Sequence, residues 1–333
     1  MKQSLLYLVQ WVQRLSIGLL SVVLTGCGYV SAFIRAEDPR TVFERGYFAE
    51  MGAQTGYPVA RSAVAVHVHR DLTYWTTGFK NDPKAHLLDV YRQRKVTHLG
   101  EAQPVLLWVH GGGLNAGDKD DETRVNANIS IAFAEQGFVV LNVNHRLARD
   151  EPHPAQAKDL AAAVAWAVRH AAEYGGDPQR MVLAGFSSGA YLAALVAGDP
   201  QYLTEAKVDS RRVRGVLAVS GFFDLHHLAQ PFLVRKFIVE PAFGRDPQGW
   251  DAASPAHYVG QHWPPSLLIT ADEDRAANPQ SANLCVHLRQ VSVPCEHWIQ
   301  PNSSHATAVA VLGDGNADML WGRILKWVRA ATQ

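Results

Sequence analysis

The chain has no charge to spare in either direction. Its 31 lysines and arginines match its 31 aspartates and glutamates, so the formal net charge is zero over 333 residues. That balance excludes the broad basic face that recruits nucleic acid. Cysteine is scarce, with three residues at 27, 285 and 295. The 15 histidines are scattered through loops, and neither the pair His67 and His69 nor the pair His226 and His227 has the spacing of a zinc site, so no metal and no organic cofactor are expected. Long apolar runs are missing too: the stretch 15–24 falls short of the roughly 20 residues that a membrane-spanning helix needs. There is no internal repeat, no low-complexity tract and no linker beyond residue 60. What remains is 47% hydrophobic and 19% charged, enough to bury one large core.

The N-terminus opens Met1-Lys2, carries Arg14 and has no acidic residue before Cys27, the pattern of a secretory signal. Leu24-Thr25-Gly26-Cys27 resembles the lipobox of bacterial lipoproteins, in which the cysteine is diacylated and becomes the mature N-terminus. The resemblance implies a signal peptide over 1–26, a lipid attachment at Cys27 and a protein tethered to the bacterial cell envelope. Gly28 in place of Asp is similar to the pattern of outer-membrane sorting. Two or three acyl chains, at about 0.8 kcal/mol per buried methylene, would hold a soluble domain on a bilayer essentially permanently. Residues 27–60 read as a tether and an N-terminal segment, and 61–333 as one domain.

Within that domain short apolar runs alternate with helix-length segments, which predicts a mostly parallel sheet of eight strands covered by helices on both faces, an α/β fold. The strands are expected at 63–68, 87–91, 105–109, 139–143, 181–184, 216–219, 267–270 and 295–299. Helices are expected at 122–135, 154–173, 188–197, 279–290 and 316–328, with 161–168 as a buried face. The interval 222–265 has no strong strand pattern and is read as a small cap insertion placed to wall a substrate pocket. Cys285 and Cys295 are read as two buried apolar cysteines, one on a helix and one on the following strand. A bridge is the alternative, because spacing alone does not set a Cα distance.

Gly185-Phe186-Ser187-Ser188-Gly189 stands between an apolar strand and an apolar helix, the context of a nucleophile elbow. Its glycines allow the tight turn that exposes the Ser187 hydroxyl above a helix N-terminus. His110-Gly111-Gly112-Gly113 ends another strand, where backbone amides can approach a substrate carbonyl. Gly112, Gly113 and Ser188 are therefore the expected oxyanion donors, with His110 supporting the glycine loop through a hydrogen bond. A serine needs a base and the base an orienting acid. His305 lies in a small-residue loop after the last strand. The acid comes from the cluster Asp272-Glu273-Asp274 that follows 267–270, while His297 lies within a strand and faces a packed surface.

Together these motifs resemble the esterase branch of the α/β-hydrolases that includes hormone-sensitive-lipase-like carboxylesterases, feruloyl esterase-like proteins and kynurenine formamidases. The resemblance spans about 74–328 and draws also on Leu88-Asp89-Val90-Tyr91, on 110–119, on Tyr174-Gly175-Gly176-Asp177-Pro178 as a turn before the nucleophile strand, and on Ser220 to Asp224 and Ser254-Pro255. It implies the α/β-hydrolase fold, the chain order Ser, Asp, His and a serine carboxylesterase acting on short-to-medium acyl or aryl esters. It places the acid three residues after a small residue that ends the strand, which selects Asp274, with Asp272 as the fallback. Two positions depart from the pattern: Ser188 stands where Ala is common, and Ala271 where Gly is. An arylformamidase-type amide hydrolase and a silent anchored binding module are the alternative functions.

Overall fold

The computed structural model describes residues 65–75, 82–94, 102–121, 123–313 and 318–333. The expected signal, Cys27 and the tether to residue 60 lie outside them.

Every expected strand is present: β1 (Val66–Thr73), β2 (Leu87–Gln93), β3 (Gln103–Val109), β4 (Val139–Val143), β5 (Gly176–Phe186), β6 (Val213–Val219), β7 (Ser266–Ala271) and β8 (Cys295–Gln300). Among the described residues they form one sheet in the order β1-β2-β4-β3-β5-β6-β7-β8, antiparallel at β1/β2 and β2/β4 and parallel from β4 onward. Continuous apolar runs are what such strands require, because alternate side chains enter opposite cores. In β3, Val105, Leu107 and Val109 join one core and Leu106 and Trp108 the other.

The helices are α1 (Val125–Glu135), α2 (Ala155–His170), α3 (Ser188–Gly198), α4 (Pro200–Glu205), α5 (Ala277–Gln290), α6 (His305–Gly313) and α7 (Asp318–Ala331). Residues of α2, α3 and α5 fill the first core, and those of α1, α6 and α7 the second. The chain leaves β3 toward β4 by way of α1 and returns to β5 by way of α2, on the opposite face. The crevice where those two connections diverge, at the carboxyl ends of β3 and β5, is where open α/β sheets bind ligands.

Three readings are corrected here, and a fourth, the insertion, gains its detail. The stretch 176–178, expected as a turn, is the start of β5, and the turn itself is confined to Gly175 with its φ of 84°. His305 is not in a loop but is the first residue of α6. The insertion 222–265 is helical in short turns, among them Leu225–Leu228, Phe232–Val234 and Glu240–Phe243. Cys285 and Cys295 are bonded to each other, with a Cα separation of 5.3 Å. The last correction has a geometric cause: α5 packs along β8 and brings Cys285, in the second half of the helix, level with the strand's first residue.

Candidate active site

Ser187 follows β5 directly and stands at the N-cap of α3 with φ 52° and ψ −115°, a conformation that costs a residue with a side chain about 1–3 kcal/mol. Its amide donates to the Val219 carbonyl at 2.8 Å, which helps hold the turn. The flanking glycines are steric necessities. A Cβ on Gly189 would lie 2.1 Å from the Val109 oxygen, and one on Gly185 2.5 Å from the backbone of Gly189. The start of α3 therefore sits directly against the end of β3.

The relay is assembled from three strand ends. His305 Nε2 lies 3.1 Å from Ser187 Oγ, and His305 Nδ1 lies 2.7 Å from Asp274 Oδ2. Because a carboxylate only accepts, Nδ1 carries the proton, which leaves Nε2 as the acceptor for the serine hydroxyl. Asp274 is fully buried after β7, and its other oxygen accepts the Ala277 amide at 3.0 Å. Burial alone would push its carboxyl up. The charge of His305 and the hydrogen bonds from His305 and Ala277 outweigh that and hold it below the ordinary value. The buried Ser220 hydroxyl also favours the charged form, though it stands outside direct hydrogen-bond geometry. Asp272 and Glu273 are exposed. His297, on β8, bonds Thr270 Oγ1 at 2.8 Å and takes no part in the relay.

Peptide planes in the glycine loop set the direction of its amides. His110 Nδ1 donates to the Gly111 carbonyl at 2.7 Å. The Gly112 carbonyl accepts from the amides of Asn115 and Ala116, at 3.1 and 3.0 Å, and the Gly113 carbonyl from Asn115 Nδ2 at 3.0 Å. In a trans peptide the N–H points away from the preceding carbonyl. With the carbonyls of Gly111 and Gly112 turned into the loop, the N–H groups of Gly112 and Gly113 turn out of it. The Ser188 N–H belongs to the first turn of α3, which has no intrahelical acceptor for it. None of these three amides donates to a carbonyl among the described residues. Side chains and loop thus bring together a serine hydroxyl, an imidazole held by a carboxylate, and backbone N–H groups that donate to no carbonyl among the described residues, an arrangement able to support acyl transfer.

The sequence assigned no role to three supporting residues, although Asn115 and Lys119 lie in the family-like stretch 110–119. Asn115 closes the glycine loop as just described. His145, at the end of β4, stacks on His110 with ring centres 4.5 Å apart and donates from Nδ1 to the Arg146 carbonyl at 2.8 Å. Burial pushes the His145 imidazole down to about 3, helped by neighbouring His110, and burial also lowers His110, so the stack is neutral at physiological pH. Lys119 pins the far end of the loop: its ammonium bonds Asp71 at 2.8 Å and Asp89 at 2.7 Å, and its amide donates to Asn144 Oδ1 at 2.6 Å. Their common signal was position, since Asn144 and His145 directly follow a strand on the same carboxyl edge as the motifs. The insertion rests on α3 through Tyr191, which stacks on Phe222 at 4.7 Å and donates to the Ala253 carbonyl at 2.9 Å.

Known proteins resemble this chain. Esterase LipC of Mycobacterium tuberculosis is 30% identical over 235 residues, 67% of this chain and 57% of that protein. Esterase LipQ of the same organism is 28% identical over 251 residues, 72% of this chain and 57% of that protein. The chain thus spans little more than half the length of these relatives. The crystal structure of esterase B from Lactobacillus rhamnosis superposes with a TM-score of 0.69 at 22% identity, covering 85% of this chain and 91% of that one, a likeness of fold. The BD-FAE family profile matches residues 88–288, which include the glycine loop, the serine elbow and the acid. With a sheet of this order and a match over most of its length, the chain has the α/β-hydrolase fold and belongs to the BD-FAE family.

Proposed function

We propose that the protein is a serine carboxylesterase that hydrolyses short-to-medium acyl or aryl esters through an acyl-enzyme. The observation that carries this reading is the single imidazole of His305 bridging Ser187 and Asp274 beside free backbone amides. His305 Nε2 takes the Ser187 proton as Oγ bonds to the ester carbonyl carbon. The carbonyl oxygen, now negative, receives the N–H groups of Gly112, Gly113 and Ser188, each such donor contributing about 2.7–4 kcal/mol to the barrier reduction. The tetrahedral intermediate collapses as the C–O bond to the alcohol breaks and His305 returns the proton to that oxygen. Water then attacks the acyl-serine by the same route. Asp274 stays ionised and stabilises the imidazolium. The segment 222–265, seated on α3, is the proposed wall that sizes the substrate.

The test is hydrolysis of a p-nitrophenyl ester series from acetate to decanoate. Ser187→Ala should lower kcat by about 10⁶ and Asp274→Ala by about 10⁴. Turnover of the series unchanged by Ser187→Ala would defeat the proposal. We further propose that Cys27 is acylated and tethers the enzyme to the bacterial envelope, supported by the lipobox-like Leu24-Thr25-Gly26-Cys27. Mass spectrometry of the mature N-terminus decides this; an unmodified start at another residue refutes it.

A further inference from the structure

We propose that Asp272 is a positioning residue for His305, a role that rests on the esterase reading and concerns the same site. Its two carboxylate oxygens are both committed: Oδ2 accepts the amide of Asn302 at 2.8 Å and Oδ1 the amide of Ser303 at 2.9 Å. Beside them the Asp272 amide donates to the Gln300 carbonyl at 3.0 Å and the Glu273 amide to the Ser303 carbonyl at 3.2 Å. The end of β8 and residues 301–304, which carry the chain on to His305, therefore hang from the acid-bearing loop by four hydrogen bonds, one at Gln300 and three at Asn302 and Ser303, two of them on the Asp272 side chain. Apolar packing does not hold this turn: Pro301 and Asn302 are exposed, and Asn302 adopts a φ of 52°. The same amides keep the Asp272 carboxyl below its ordinary value.

The tolerance is small. His305 Nε2 stands 3.1 Å from Ser187 Oγ, and a drift of about 0.5 Å carries that contact to the limit of hydrogen bonding. Misplacements of about 1 Å can cost catalysis on the order of 100-fold. Asp272 touches neither the serine nor the imidazole and acts only through the backbone that delivers His305. The bridge Cys285–Cys295 closes the other side of this frame, tying α5, whose first amide, at Ala277, is held by Asp274, to the start of β8.

The experiment uses the full chain and its Asp272→Ala, Asp272→Asn, Asp274→Ala and Ser187→Ala variants. It measures p-nitrophenyl butyrate kinetics, the rate at which a fluorophosphonate probe labels Ser187, and the low-field proton resonance of the His305–Asp274 hydrogen bond. Asp272→Ala should lower kcat about 10- to 100-fold, leave KM within about twofold and broaden the resonance. Asp272→Asn keeps one acceptor oxygen and should fall between that variant and wild type. A kcat within about twofold of wild type in Asp272→Ala overturns the proposal. So does abolished activity in that variant while Asp274→Ala stays active, which would make Asp272 the acid. Inactivity of the wild type toward all esters would refute the esterase reading by itself. The labelling rate, which needs the relay but no ester, then still decides the role of Asp272: slower labelling supports it and equal labelling overturns it. If the alanine variant does not fold, the asparagine variant carries the same comparison.

Discussion

A methyl group at Gly112 would stand 2.1 Å from the Ala116 carbonyl oxygen, at a φ of +118° that residues with side chains rarely adopt. Gly112→Ala must therefore turn a peptide plane whose N–H is proposed to meet the oxyanion. Its kcat/KM should fall by about 10²–10³ with the relay itself intact, as steady-state kinetics and fluorophosphonate labelling would show. His145 supports a prediction about pH. Its imidazole titrates near 6.5 when unfolded and is held down to about 3 in the buried stack. The folded state thus binds fewer protons, so the stabilisation is complete above about 6.5 and erodes by roughly 1.4 kcal/mol per pH unit as pH falls toward 3. Asp274, also depressed, adds to the loss only when pH falls through the carboxylate range. Urea midpoints should drop between pH 7 and pH 5, and His145→Phe should shrink that drop; an identical drop in the variant would count against the argument.

The elements show where local pattern was enough. β3 and β7 are short apolar runs bounded by polar or turn residues, and their observed limits differ from the expected ones by one or two residues. α6 went unexpected although Ser304, a residue type favoured before a helix, directly precedes it: its hydroxyl accepts the Thr307 amide at 3.3 Å and its amide donates to Thr307 Oγ1 at 2.7 Å, a start signal that the short, weakly periodic run 305–313 left unread. The disulfide joins α5 to β8 across ten positions. Closing a loop of that size stabilises by about 3 kcal/mol through the unfolded chain. The Cys285→Ala, Cys295→Ala double variant should lose about that much in urea unfolding, and reduced wild type should match it. Equal stability of oxidised and reduced protein would show that the native frame needs no bridge.

At the scale of the molecule, one sheet brings together residues separated by 118 positions, as Ser187 and His305 are. Both faces of its central strands are covered, and the glycine loop, serine, acid and histidine all emerge at their carboxyl edge, where open α/β sheets place their sites. The proposed anchor belongs to this scale as well. Cys27→Ala should move the protein from the membrane fraction to the soluble fraction of fractionated bacteria while leaving its specific activity unchanged. Equal partitioning of variant and wild type would end the lipoprotein reading.

Sequence by itself determined the fold class, the eight strands, the serine elbow and the glycine loop, because each rests on contiguous residues whose backbone geometry or burial is a local property. It narrowed the acid to Asp272, Glu273 or Asp274, and family resemblance selected among them. Only the tertiary structure decided that Asp274 meets His305 while Asp272 meets the amides of Asn302 and Ser303. It alone paired Cys285 with Cys295 and stacked His145 on His110. These are contacts between distant segments, set by the order in which strands join the sheet, and spacing along the chain carries no measure of them.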